Sequence, residues 1–213
     1  MDLSQIFSGF GLVKPEVWMT LIALVALAFL LALGRNRWNA RMLTYAAICI
    51  ALGFILSYIR FYRMPQGGSV TPGSMLPVMV FSYIFGGLPG ILAGTAYGLL
   101  QLFQDFYVTH PMGLFLDYIL AFACLGLAGF FRKNLALGVL VAGLGRFACH
   151  FLAGVFFFGA YAPEGANVAL YSLGYNASVV GPDLAICLIL ALLPPTRRLI
   201  ERLRLQANAG RRI

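Results

Sequence analysis

The chain has 213 residues, of which 61% are hydrophobic and only 10% charged, with a formal charge of +8. A water-soluble domain carries about 25% charged and about 45–50% apolar residues, so a soluble globular fold is excluded: the polar groups are too few to cover its surface. Long unbroken apolar runs also exclude a β-barrel, whose strands alternate, and read instead as helices of about 20 residues crossing a bilayer.

The first such run is 17–33, charge-free between Glu16 and Arg35. It lacks the basic leader and small-residue cleavage site of a signal peptide, so it reads as a retained membrane helix. The second run is 43–59. From Met64 to Gln104 no charged residue occurs, a stretch too long for one helix. The turn signal "FGGLPG" (85–90) divides it into a short helix at 73–85 and another at 88–104. Further helices follow at 113–131, 135–159 and 169–193, before Pro194 and Pro195. The fold class is thus an all-α membrane protein of seven helices. Its domains read as an N-terminal extension with an additional helix (1–40), a six-helix membrane domain (41–196) and a basic tail (197–213).

Arginine and lysine set the orientation. With the N-terminus outside, the cytoplasmic segments hold Arg35, Arg37, Arg41, Arg132, Lys133 and the tail arginines 197, 198, 202, 204, 211 and 212, against Lys14, Arg60 and Arg63 outside. The C-terminus is therefore expected in the cytoplasm of a prokaryotic cell, with the tail against anionic membrane lipid. These charges sit at span ends rather than on a folded basic surface, so nucleic acid is not an expected partner. Cys49, Cys124, Cys149 and Cys187 are scattered singly and read as reduced thiols, with neither a disulfide framework nor a zinc site.

Ionisable groups inside a bilayer are costly and usually face a bundle interior or a wet cavity. Four qualify: Asp117, Arg146, His150 and Asp183. Arg146, His150, Gly154 and Phe158 repeat every four residues and share one helical face. Asp117 and Tyr118 lie near the outer end of their helix, so one cavity near the outer leaflet is expected. Asp117 and Arg146 could simply form a helix-tying ion pair, and Asp183, beside Pro182, could cap the inner part of a broken helix or sit in a helix interface; no ligand role is assigned to it. No catalytic, metal or nucleotide-binding motif occurs, so neither an enzyme nor a cofactor is expected.

Four blocks carry a resemblance. "MPQGGSVTPGSMLP" (64–77), "FLDYILAFACLGLAGFF" (115–131), "GRFACHFLAGVFFFGAY" (145–161) and "YSLGYNAS" (171–178) are similar, in this order, to the thiamine-specific S components, the ThiT family, of energy-coupling factor (ECF) transporters. The resemblance covers about 41–193. It implies a six-helix S-component core that captures thiamine outside and passes it inward when docked on a transmembrane coupling protein with two ATPase subunits. It implies that Asp117 and Tyr118 hold the vitamin's aminopyrimidine and offset its cationic thiazolium. His150, Gly154, Phe158, Tyr171 and Asn176 fall on pocket positions, and Arg146 replaces a pocket lysine. Gly68, Tyr97 and Phe158 stand where well-known members carry tryptophan. Ala47 and Ala51 match the small-residue pair that docks on the coupling protein, and residues 64–77 suit a lid over the ligand. Three rivals stand beside this reading: the same machinery serving a thiamine precursor or related vitamin, a stand-alone proton-coupled transporter with Asp117 and Asp183 as proton sites, and an intramembrane enzyme or assembly factor.

Overall fold

The computed structural model describes residues 38–64, 67–104 and 110–209. The first expected helix, 17–33, lies outside them. Helices α1 (Ala40–Tyr58), α2 (Leu76–Phe85), α3 (Gly87–Gln104), α4 (residues 111–130), α5 (Leu135–Phe157) and α6 (Val168–Leu192) follow one another along the chain. A seventh, α7 (Pro194–Asn208), follows the last span. Four of them, α1, α4, α5 and α6, are long and apolar enough to cross a membrane.

Local chemistry sets where these helices begin. Asn39, Asn134 and Asn167 each accept a backbone N–H from the first turn of α1, α5 and α6, at 2.9, 3.1 and 2.9 Å. His110 does the same for Met112, with Pro111 supplying a first-turn residue that has no N–H to satisfy. Asparagine caps explain why α1 and α6 start slightly before the apolar runs themselves. Between α2 and α3, Gly86 adopts φ 110°, a conformation that side chains resist.

α2 is the centre of the bundle. Eight of its ten residues are buried, including Phe81, Tyr83 and Met79. A helix apolar all round belongs inside a bundle. Lipid is as apolar as these side chains, so what holds α2 there is close packing rather than the hydrophobic effect. The other helices turn large side chains outward instead: Ile48, Ile55 and Tyr58 on α1 are each about 60% exposed.

α3 and α4 approach each other closely. Gly94 and Gly98 lie against the backbone carbonyls of Phe122 and Tyr118, where any side chain would collide. α4 itself is wound unevenly. It opens to a wider π winding over Phe115–Leu120, returns to α at Ala121–Ala123, and tightens to a 3-10 winding over Cys124–Phe130.

Between α1 and α2 the chain forms a small antiparallel hairpin, β1 (Tyr62–Arg63) with β2 (Ser69–Val70), in the register Tyr62 to Val70. At the opposite end of the bundle, the segment expected as a basic tail is helical. Ile200 and Ala207 of α7 are buried against the bundle. Arg41 donates to the carbonyls of Gln206 and Ala209 at 3.1 and 2.7 Å, supplying a cation where the helix dipole is negative. Tyr83 donates to Glu201 at 2.6 Å and accepts from Arg204 at 2.9 Å.

Candidate ligand-binding site

A cavity of about 170 Å3 lies at the hairpin end, among α1, α3, α4, α5 and α6. All ten residues expected at a binding site line it: Gly68, Tyr97, Asp117, Tyr118, Arg146, His150, Gly154, Phe158, Tyr171 and Asn176. Each element contributes for a local reason. α5 supplies Arg146, His150 and Gly154 because four-residue spacing keeps them on one face, and Phe158 follows as the residue that caps its end. α4 supplies Asp117 and Tyr118 from its π-wound turn, and such turns re-aim side chains and recur at functional sites. Tyr171 and Asn176, five residues apart on α6, reach the same space because Tyr171 sits in the opening turn of the helix. The segment after β1 closes the cavity over Gly67, Gly68, Ser69, Thr71 and Ser74.

The polar centre is a chain of three side chains. Asp117 Oδ1 is 2.7 Å from His150 Nδ1. Arg146 Nε donates to His150 Nε2 at 3.2 Å. A guanidinium can only donate, so His150 Nε2 must be the accepting nitrogen, and the ring proton sits on Nδ1, directed at the carboxylate. The histidine therefore stands between Asp117 and Arg146, and the two ends of the expected ion pair meet only through it. The guanidinium also lies 4.4 Å from the centre of the Phe122 ring, a cation–π contact.

Around this chain the walls are aromatic and amide. Tyr97 is fully buried and donates to the Gly53 carbonyl at 3.1 Å. Asn176 donates to the Ser172 carbonyl at 2.9 Å and to the His150 carbonyl at 3.3 Å, joining α6 to α5 beside the site. Gly154 is where those helices cross, with Ser172 directly against it.

Several lining residues were not assigned to the site from the sequence, where Tyr175 reads as a packing or interface anchor. Tyr175 hydroxyl accepts the Gly68 N–H at 3.2 Å and so fastens the closing segment to α6. Its four-residue spacing from Tyr171 was a signal that could have found it. Gln101 and Phe122 stand at the same four-residue spacing from Tyr97 and Tyr118, whereas Ser57 carried no such signal. Asp183, to which no ligand role was assigned, also lines the cavity. α6 runs unbroken through Pro182, so Asp183 caps no broken helix; it accepts the Thr71 hydroxyl at 2.7 Å. Ala47 and Ala51 lie on the exposed face of α1, flanked by Ile48 and Leu52, away from the cavity.

The family model described as thiamine transporter protein (Thia_YuaJ) matches residues 43–201. The chain is 36% identical over 166 residues to the thiamine transporter ThiT of Bacillus subtilis (strain 168), covering 69% of this chain and 86% of that protein. It is 31% identical over 150 residues to ThiT of Lacticaseibacillus paracasei, covering 61% and 74%. A solved structure of ThiT from Listeria monocytogenes superposes with a TM-score of 0.66 at 25% identity, covering 75% of this chain and 96% of that one.

Proposed function

The chain belongs to the thiamine transporter protein family, whose members are membrane transporters rather than enzymes, and from that premise we propose that it is the thiamine-binding S component of an ECF-type transporter. It captures thiamine from outside in the cavity at the hairpin end and releases it inside when docked on a membrane coupling protein with two ATPases. The hairpin end faces outward, and α7 with its arginines faces the cytoplasm, in line with the bias of Lys and Arg along the chain.

The observation that carries the reading is the Asp117 carboxylate, held at 2.7 Å by His150 inside a cavity walled by aromatic rings. A thiazolium cation leaving water needs a fixed anion and π faces. In this site Asp117 meets the cation and the aminopyrimidine, with Tyr118 beside it. Tyr97, Phe158 and Tyr171 supply ring surface. His150, Arg146 and Asn176 order the polar edge, and Gly68 and Gly154 leave room. The segment from Gly67 to Ser74 closes over the ligand. Ala47 and Ala51 form the flat patch on α1 that meets the coupling protein, since small residues let two helices approach closely in lipid.

Calorimetric titration of the purified, vitamin-depleted chain with thiamine tests the binding half of this reading. Tight binding is expected, and a folded protein that takes up no thiamine sinks it. Uptake of labelled thiamine into cells tests the other half: it requires the coupling module, and Ala51→Trp abolishes uptake while leaving binding intact. Uptake that persists without any ATPase partner would point to the proton-coupled mechanism instead.

A further inference from the structure

The Asp117–His150–Arg146 chain poses a charge problem. If Asp117 and Arg146 were the only full charges of the cavity they would cancel, and a cation leaving water would find no net countercharge. A third full charge stands on α6. Asp183 is 4% exposed and lines the same cavity. It accepts the Thr71 hydroxyl at 2.7 Å, and the backbone N–H groups of Thr71 and Gly73 also face it. The Thr71 hydroxyl in turn stands 2.9 Å from that of Ser74. The Thr71 hydroxyl and these two N–H groups are donors, and a carboxylate accepts from them through its oxygens. The Arg146 guanidinium lies within Coulombic reach of it.

We propose that Asp183 is the residue that makes the cavity selective for a cation: it offsets Arg146, leaves Asp117 free to face the ligand, and gives the cavity one net negative charge. Asp183 acts through the field in the cavity and through Arg146, so it is a positioning and specificity residue rather than a contact residue. The inference rests on the cavity being the thiamine site, and it goes further in assigning discrimination between charged and uncharged ligands to a residue outside the expected pocket set. The same carboxylate pins the closing segment to α6 through Thr71. A purely structural role would consist of that pin alone, and the two roles separate in experiment.

The experiment uses the full chain in detergent and two ligands. One is thiamine. The other is its neutral aminopyrimidine alcohol half, in mildly alkaline buffer where that half carries no charge. Asp183→Asn keeps the size and an oxygen acceptor for Thr71 but removes the charge. It is expected to weaken thiamine roughly tenfold or more, as a unit charge about 10 Å away does at an effective dielectric of about 20, and to change the neutral half by less than about threefold. Thr71→Val removes the pin without touching the charge, and leaves the ratio of the two affinities as in the wild type. Equal weakening of both ligands by Asp183→Asn, or no weakening, overturns the proposal. So does a Thr71→Val protein whose ratio shifts as far as that of Asp183→Asn. Asp183→Glu keeps the charge and must keep the ratio even if its fit is poorer, which preserves the test if the asparagine protein does not fold. A folded wild type that binds no thiamine removes the functional reading itself. A wild type that binds while Asp183→Asn leaves the ratio unaltered removes only this inference.

Discussion

Replacing Gly154 by alanine drives one methyl group into the crossing of α5 and α6. A Cβ at Gly154 lands on the Ser172 hydroxyl, 2.9 Å from Ser172 Cβ and 3.5 Å from Asn176 Nδ2. Rotating the hydroxyl away relieves only the first of these contacts, because the serine Cβ is fixed to the backbone of α6. The same rotation breaks the 2.8 Å hydrogen bond from Ser172 to the Phe151 carbonyl. Over-packing of this kind costs about 1–3 kcal/mol, and the lost bond costs about 1 kcal/mol more. For a domain of this size each kcal/mol lowers the melting midpoint by roughly 2–4 °C, so Gly154→Ala is expected to melt roughly 5–15 °C lower in detergent. Asn176 shares Ser172 as a hydrogen-bond partner and lines the cavity. Its displacement loosens thiamine as well, by about tenfold for each 1.4 kcal/mol of lost contact. Gly174→Ala is the internal control. No atom lies within 4 Å of a Cβ there, and alanine favours the helix by about 0.5–1 kcal/mol over glycine. The assay is thermal unfolding with a thiamine titration on the same preparations. A Gly154→Ala protein that melts with the wild type and binds as tightly refutes the packing argument.

Three further outcomes are expected. Asp117→Asn keeps the acceptor for His150 but removes the anion. With a ligand cation about 4–8 Å away and an effective dielectric of about 20, the loss is about 2–4 kcal/mol, roughly 30- to 1000-fold in thiamine affinity. Calorimetry that finds the asparagine protein as tight as the wild type takes Asp117 out of its role. Tyr175→Phe deletes the acceptor of the Gly68 N–H. At about 1 kcal/mol for one hydrogen bond, bound radiolabelled thiamine should dissociate about fivefold faster, and an unchanged off-rate would mean the closing segment is held by other contacts. Arg41→Gln frees the Gln206 and Ala209 carbonyls at the end of α7. Trypsin should then cut more quickly at the arginines of α7, with thiamine affinity unaltered; equal digestion rates would show that the Tyr83–Glu201–Arg204 cluster alone holds the helix.

Much of this architecture was readable from residue order, because the relevant physics is local. Charge-free runs of membrane length dictate helices wherever backbone groups cannot reach water. "FGGLPG" marks the α2–α3 turn because a tight reversal calls for glycine, and Gly86 takes φ 110° there. The stripe from Arg146 to Gly154 lies on one face because the helix repeats every 3.6 residues. The arginines of the last segment hid its helical character. The apolar spacing of Ile200, Leu203 and Ala207 was present, yet which surface they cover depends on Arg41 and Tyr83, distant in the chain.

What the chain alone determined is therefore the membrane helices among the described residues and the polar face of α5. Tertiary structure alone decided how those helices meet. Gly94 and Gly98 draw α3 onto the carbonyls of α4, and on that helix the π-wound turn carries Asp117 beside His150. His150 becomes the bridge between Asp117 and Arg146, and Asp183 becomes a lining group instead of a cap, only once α4, α5, α6 and the Thr71 segment are placed together. The physical reason is one of range. Helix formation is settled within a few residues, whereas a hydrogen bond is settled by tenths of an ångström between atoms that are 33 residues apart for Asp117 and His150, and 112 apart for Thr71 and Asp183.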